Sequence, residues 1–338
     1  PVDCDKFIFF FFFMKEVCII IPRNGLLASI DDSRYMFTMV NEFLRLAGKP
    51  AAFSVNLVAL TKEVKLNGGL YTIHADFLIK DIQQTDLIII PSMSGDMVTA
   101  MVLNLDYNNW LVEQYKKGAE IASLCVGAFL LASSGLLKGK SCATHWQYNY
   151  EFMRFFPDVQ LVDNKIITDQ NGLYSSGGSS SYWNLLLYLV EKYTGRETAI
   201  IASKYFALDI GRTSQSAFAI FRGQKDHEDE EIKKAQEYIE QHYADKLTVH
   251  NIADKLAIVR RTLERRFKKA TSNTVIEYIQ RVRMEAAKKQ LETGRKTVNE
   301  VMYEVGYTDS NAFRKVFKDV SGMSPIDYKG KYNKGALI

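Results

Sequence analysis

Cys125 stands between the apolar run Ile121 to Leu124 and a helical pattern opening at Phe129, and Val126-Gly127-Ala128 follow it. A thiol between a strand and a helix, with a small residue two places on to permit a sharp bend, has the arrangement of a nucleophile elbow. There it faces backbone N–H groups at a helix N-terminus, which lowers a thiol pKa. Twenty residues later Thr144-His145-Trp146 offers a base, so this pair could do nucleophilic chemistry or hold a polar ligand. A second constellation lies far along the chain. Arg260, Arg261, Thr262, Arg265, Arg266 and Lys268 surround Leu263 and Phe267, and 50 residues on Ser310, Asn311, Arg314, Lys315 and Lys318 surround Phe313 and Phe317. Such side chains read base edges or grip phosphates.

Charge separates the two constellations. The 338 residues carry a formal net charge of +4, but residues 232–338 hold 22 Lys and Arg against 13 Asp and Glu, leaving residues 1–231 net acidic. A basic module joined to a different module points to a polyanion partner, of which nucleic acid is the commonest. With 47% hydrophobic and 24% charged residues, collagen-like, disordered and coiled-coil-only classes fall away, and the length suits about two domains. Four cysteines without a CxxC pair or a His cluster argue against a disulfide framework or zinc finger and fit a reducing, cytoplasmic compartment; no metal or other cofactor is expected. The apolar stretch Phe7 to Met14 is too short to span a bilayer and makes a poor signal peptide, so no membrane association is expected and residues 1–14 read as an extension outside the domains.

The elements that position these residues follow from periodicity. Val17 to Ile21, Ala52 to Leu60, Leu87 to Ile90 and Ile121 to Leu124 are apolar runs bounded by Pro22, Pro91 and Gly118, the pattern of strands buried on both faces. Helical patterns at Ser33 to Leu46 and Trp183 to Val190 alternate with them, which predicts a three-layer, flavodoxin-like α/β domain with a mostly parallel sheet over residues 15–221. Arg222 to Glu231 contains no large apolar side chain and reads as a linker. Residues 232–330 show no strand-like run and read as all helical. There Thr297 and Glu300 form a capping box, Gly306 supplies a left-handed turn, and Asp309 caps a second helix: the helix-turn-helix plan. Thr248, a turn at Ala257 and Ile258, and the helix around Leu263 repeat that plan, and Thr274 to Glu292 forms a helix that holds the two units at a set separation.

The C-terminal sequences Arg265-Arg266-Phe267-Lys268, Arg281-Val282-Arg283, Val305-Gly306-Tyr307, Phe313-Arg314-Lys315-Val316-Phe317-Lys318 and Gly322-Met323-Ser324-Pro325 resemble the DNA-binding domain of the AraC family of bacterial transcription regulators. The resemblance implies two recognition helices in successive major grooves. Two departures stand out in the first unit, where the family usually has Gly in the turn and Ser or Thr as the recognition-helix cap but Ala257 and Val259 occur. In the second unit Met302 replaces a usually small residue. The N-terminal half, through Cys125, His145, Asp86 to Pro91, Leu136 to Gly139 and Ser176-Gly177-Gly178, resembles the PfpI and class I glutamine amidotransferase-like domain, which a known subfamily of regulators carries ahead of AraC-type units.

In the hydrolytic and deglycase branch of that superfamily a Glu follows the first strand. Here that stretch carries Asp31, Asp32 and Arg34, with Arg34 nearest the Glu position, where a cation cannot hold a substrate proton. The expectation is therefore a non-enzymatic pocket of Cys125, Val126, His145 and Arg34, with Cys125 and His145 as vestiges of catalysis. The expected partners are double-stranded DNA, a small-molecule effector, a second copy of the chain in a homodimer, and RNA polymerase. A Cys-dependent amidase, peptidase or deglycase with an accessory DNA-binding domain is the alternative.

Overall fold

Residues with branched or bulky apolar side chains on both faces of a strand can be solvated on neither, and the sheet is built around such residues. In the computed structural model, which describes residues 14–162 and 165–333, the strands are β1 (Lys15–Ile20), β2 (Phe53–Ala59), β3 (Glu63–Leu66), β4 (Tyr71–His74), β5 (Phe77–Leu78), β6 (Leu87–Ile90), β7 (Glu120–Ser123), β8 (Ser141–Cys142), β9 (Gln160–Leu161), β10 (Ile167–Gln170) and β11 (Leu173–Ser176). A seven-stranded sheet runs β10-β11-β7-β6-β1-β2-β5, parallel except where β10 meets β11. Val17 and Ile19 of β1, with Leu87 and Ile89 of β6, enter one apolar core; the alternating Cys18, Ile20, Ile88 and Ile90 enter the other. Successive side chains point to opposite faces, so two cores require two covering layers.

Those layers are helical. On one face lie α1 (Leu27–Leu46), α6 (Tyr182–Thr194) and α7 (Arg196–Tyr205); on the other lie α2 (Met97–Leu103), α3 (Tyr107–Lys116), α4 (Ala128–Ser133) and α5 (Asn149–Phe155). Met36, Phe37 and Val40 of α1 and Leu185, Leu186 and Leu189 of α6 are fully buried, as are Leu111, Phe129 and Phe152 on the opposite face. The three-layer α/β architecture is the one the alternating pattern predicts.

Compactness divides the chain between Thr213 and Ser214. The second unit contains α8 (Glu230–His242), α9 (Val249–Lys255), α10 (Arg260–Thr271), α11 (Val275–Thr293), α12 (Val298–Glu304), α13 (Ser310–Ser321) and α14 (Pro325–Tyr332). It has two small cores. Ile232, Ile239, Ile252, Leu263 and Phe267 form the first with Val275, Tyr278 and Ile279; Val301, Val305, Phe313, Phe317 and Tyr328 form the second with Met284, Ala287 and Leu291. The last three residues of each set all come from α11, which thereby belongs to both cores. Removing Phe267 or Phe317, each fully buried, would cost its core about 3 to 5 kcal/mol.

The polar stretch Arg222 to Glu231 is fastened to this unit. Gln236 Nε2 donates to the Gln224 carbonyl (2.9 Å), Lys225 pairs with Glu240 (2.7 Å), and Asp229 caps α8 by accepting from the Ile232 N–H. Upstream of it, Lys288, whose side chain is 4% exposed, donates to the Ala219 carbonyl and pairs with Glu285, which accepts the Phe221 N–H at 3.1 Å. Residues 1–13, which include nearly all of the expected N-terminal extension, lie outside the described residues.

Candidate functional site

The chain leaves β7 at Leu124 and turns sharply at Cys125, whose φ of 56° lies in the left-handed region that costs a non-glycine residue about 1 to 2 kcal/mol. Gly127 follows because β6 ends against it: a Cβ there would sit 2.6 Å from the Pro91 carbonyl oxygen and 2.7 Å from that of Ile90. The strained nucleophile-elbow geometry is thus present. The Cys125 N–H donates to Ser176 Oγ (3.0 Å) and its carbonyl accepts from Thr144 Oγ1 (3.1 Å), tying the elbow to the end of β11 and to the segment carrying His145.

The thiol itself departs from expectation. Cys125 is 4% exposed, and burial pushes its pKa up although Ser92 and the Val126 N–H hydrogen-bond it. Stripping water from a thiolate outweighs two hydrogen bonds, so helix-terminus activation is overridden. Burial also lowers His145, whose Nδ1 accepts the Gln147 N–H at 3.1 Å while its ring packs beside Trp146 and Tyr148. Among the described residues no hydrogen bond joins Cys125 to His145. Val126 offers the elbow its backbone, since its side chain is buried in the core.

Arg34 is exposed on α1, whereas Asp32, two residues before it, is half-buried. Two residues along a helix are about 200° apart around its axis, and Asp32 is the one that faces inward. Tyr182 donates its hydroxyl to the Asp32 carboxylate, and burial raises Asp32. A charge on Cys125 would push Tyr182 and Tyr148 upward, which places both phenols near the thiol. Asp32, Tyr182, Tyr148 and Ser92 are therefore the groups that local sequence reading missed; Tyr182 lies 150 residues from Asp32 and no spacing signals the pair.

In the helical unit, Thr248 accepts from the Asn251 N–H to start α9, and Ala257 takes the turn at φ 52°. The second helix of this unit, α10, then starts from Val259 without a side-chain cap. In the repeat, Thr297 and Glu300 complete both halves of a capping box, Gly306 takes the turn at φ 82°, and Asp309 Oδ1 accepts the Ala312 N–H to cap α13. Met302 is buried in the second core, so the larger side chain is accommodated by packing.

The predicted contact residues fall mainly on the outer faces of α10 and α13. Arg260, Arg261, Arg265 and Lys268 are exposed on the first helix, and Asn311, Arg314, Lys315 and Lys318 on the second; Thr262 and Ser310 are half-buried near the two N-termini. Arg260 pairs with Glu264 one turn on, and Lys268 Nζ reaches the Ser272 carbonyl. Arg266 is placed differently. Its Nε and Nη2 take both oxygens of Asp229 (2.9 and 2.5 Å), holding that carboxyl below the usual carboxylate range and locking α10 to the start of α8. The 19 residues of α11 span about 28 Å at 1.5 Å per residue, a spacer comparable to one turn of B-DNA. Among the described residues no cluster of three or more His, Cys, Asp or Glu side chains is arranged to hold a metal, and no helix is long and apolar enough to cross a membrane.

Fold and site together define a fusion of an elbow-bearing α/β domain with a duplicated helix-turn-helix reader. Comparison with known families agrees: the DJ-1/PfpI family profile matches residues 34–192 and a helix-turn-helix domain profile matches residues 252–331. The chain thus carries a DJ-1/PfpI-type domain followed by an AraC-type helix-turn-helix domain. Among curated proteins it is similar to the HTH-type transcriptional regulator GbdR of Pseudomonas aeruginosa, 25% identical over 66% of this chain and 60% of that protein. It is also similar to the HTH-type transcriptional regulator ArgR of the same species, 24% identical over 66% of this chain and 68% of that protein. The chain therefore spans about three fifths of the length of the first of these relatives. A crystal structure from Vibrio parahaemolyticus matches 57% of this chain and 98% of its own at a TM-score of 0.51 and 23% identity, a likeness of fold.

Proposed function

We propose that the chain is a bacterial transcription regulator. Its AraC-type domain binds a specific operator through α10 and α13, and its α/β domain receives a small molecule or joins two copies of the chain, altering operator occupancy or contact with RNA polymerase in the cytoplasm. One observation carries this reading: two helix-turn-helix units share α11 in their separate cores, and each presents exposed basic and amide side chains on its second helix. Regulator names among the relatives support it.

The α/β domain works in this reading as a binding module, without turnover. A thiol raised by burial, with no hydrogen bond to His145, is a poor nucleophile at neutral pH, and the elbow then serves as the wall of a ligand pocket. Of the basic side chains, Arg261, Arg265 and Arg314 are proposed as base or phosphate contacts, whereas Arg266 orients α10 through Asp229.

The test is the salt dependence of binding by the full chain to DNA recovered from a genomic binding selection. With about 6 to 10 phosphate contacts, affinity should fall by about 10³ to 10⁵ between 50 and 200 mM salt. A flat dependence would remove nucleic acid as the partner.

A further inference from the structure

The loops leaving the C-terminal ends of β1 and β2 bound a cleft of about 460 Å³ whose lining includes Arg23, Asn24, Thr61, Glu63 and Lys65. In the sheet the chain leaves β1 for the helices of one face and β6 for those of the other, so the reversal at which open parallel sheets usually take ligands lies between β1 and β6. The Cys125 elbow uses the β6 and β7 side. This cleft lies on the β1 and β2 side.

The wall that carries Arg23 is fixed from beneath. Asn104 is fully buried, and its amide clamps the Arg23 backbone at both ends, accepting from the N–H (2.8 Å) and donating to the carbonyl (2.9 Å), while it also donates to the Ala100 carbonyl at 2.7 Å. The next residue, Asn24, sits at φ 62°, and its carbonyl accepts the Ser94 N–H at 2.8 Å. The backbone is thus pinned while the Arg23 side chain stays exposed. On the opposite wall, Thr61 Oγ1 donates to the Glu63 carbonyl (2.8 Å) at the start of β3. Val64 and Leu66 are buried there, so the alternating Lys65 is exposed.

The charges are unequal. Among the described residues neither Arg23 nor Lys65 forms an ion pair, whereas Glu63, the one carboxylate lining the cleft, faces His74 at 3.6 Å across the β3–β4 ladder. A guanidinium on a rigid loop facing an ammonium matches a planar or tetrahedral oxyanion, with Arg supplying a fork of donors and Lys a movable point charge. We propose that this cleft is a binding site for a small carboxylate or phosphate compound, separate from the Cys125 elbow. The site rests on the α/β domain alone and stands whether or not the chain regulates transcription.

The experiment is calorimetric titration of the full chain with inorganic phosphate and, separately, succinate at constant ionic strength. At least one anion should bind, phosphate marking a phosphate-bearing ligand and succinate a carboxylate. Arg23→Gln and Lys65→Gln should each weaken binding about tenfold or more, Lys65→Arg should retain it, and so should Cys125→Ser. Both Gln side chains replace exposed ones, so unchanged melting temperatures in the absence of anion serve as the folding control. Binding of neither anion, or binding that persists in the double Gln variant and so belongs to the basic helical unit, would overturn the proposal.

Discussion

The two helix-turn-helix units share a plan but differ in what holds each turn and helix start. The second is specified by its own residues: glycine where φ is 82°, an aspartate where α13 needs an acceptor, and a complete capping box before α12. The first puts Ala257 at φ 52°, starts α10 on Val259 without a side-chain acceptor, and instead locks α10 to α8 through the Arg266–Asp229 pair 37 residues apart. The same geometry is therefore reached by local backbone chemistry in one unit and by a longer-range ion pair in the other. Local rules alone would rate the first unit the weaker.

The largest effect expected from breaking this contrast is in the turns. Gly306→Ala places a Cβ 2.6 Å from the Ala244 carbonyl oxygen in a left-handed backbone, and should destabilise the helical unit by about 2 to 4 kcal/mol in denaturant titration. At the matching site Ala257→Gly should stabilise by about 0.5 to 1 kcal/mol, strain relief exceeding the entropy gained by the unfolded chain. Equal and opposite-to-expected outcomes at the two turns would show that the contrast has no energetic content.

A smaller effect concerns reading. Arg261→Ala and Arg314→Ala should each lose about 1 to 3 kcal/mol of discrimination, at positions about one helical turn apart in the footprint. Arg266→Ala should instead lower the melting temperature and weaken binding to all sequences alike, because it frees α10 rather than removing a base contact. Footprints altered at the same base pairs by Arg261→Ala and Arg314→Ala would refute two independent readers.

The smallest effect is in the caps. Asp309→Ala should cost about 1 kcal/mol, and Val259→Ser should return about as much to the first unit, both measured by thermal unfolding. A Val259→Ser variant without gain would mean that the ion pair already fixes the start of α10.

What was legible in the sequence was chiefly what one segment decides. The runs at Val17, Leu87 and Ile121 could be solvated on no face, so β1, β6 and β7 followed, and Thr297, Gly306 and Asp309 carried their own turn and cap chemistry. What depended on folding from a distance was not legible. Cys125 looked activated because its neighbours along the chain allow an elbow, yet the layer of side chains around it removes the water a thiolate needs. Arg34 looked closest to the missing acid by counting, but the turn of α1 brings Asp32 inward to a tyrosine 150 residues away. The segment at Ala219 and Phe221 has no periodicity to show that it docks on Lys288 and Glu285.

That docking has a mechanical reading. The chain entering the helical unit is moored twice: Ser214 and Ser216 pack beside Gly322 at the end of α13 and Tyr332 donates to the Ala217 carbonyl, and only then do Lys288 and Glu285 of α11 hold Ala219 and Phe221. A pull along the backbone at Ser214 therefore loads the far end of the second unit before it reaches α11, the helix common to both cores. The two units differ mechanically as they do chemically: the first feels such a load only through the shared strut.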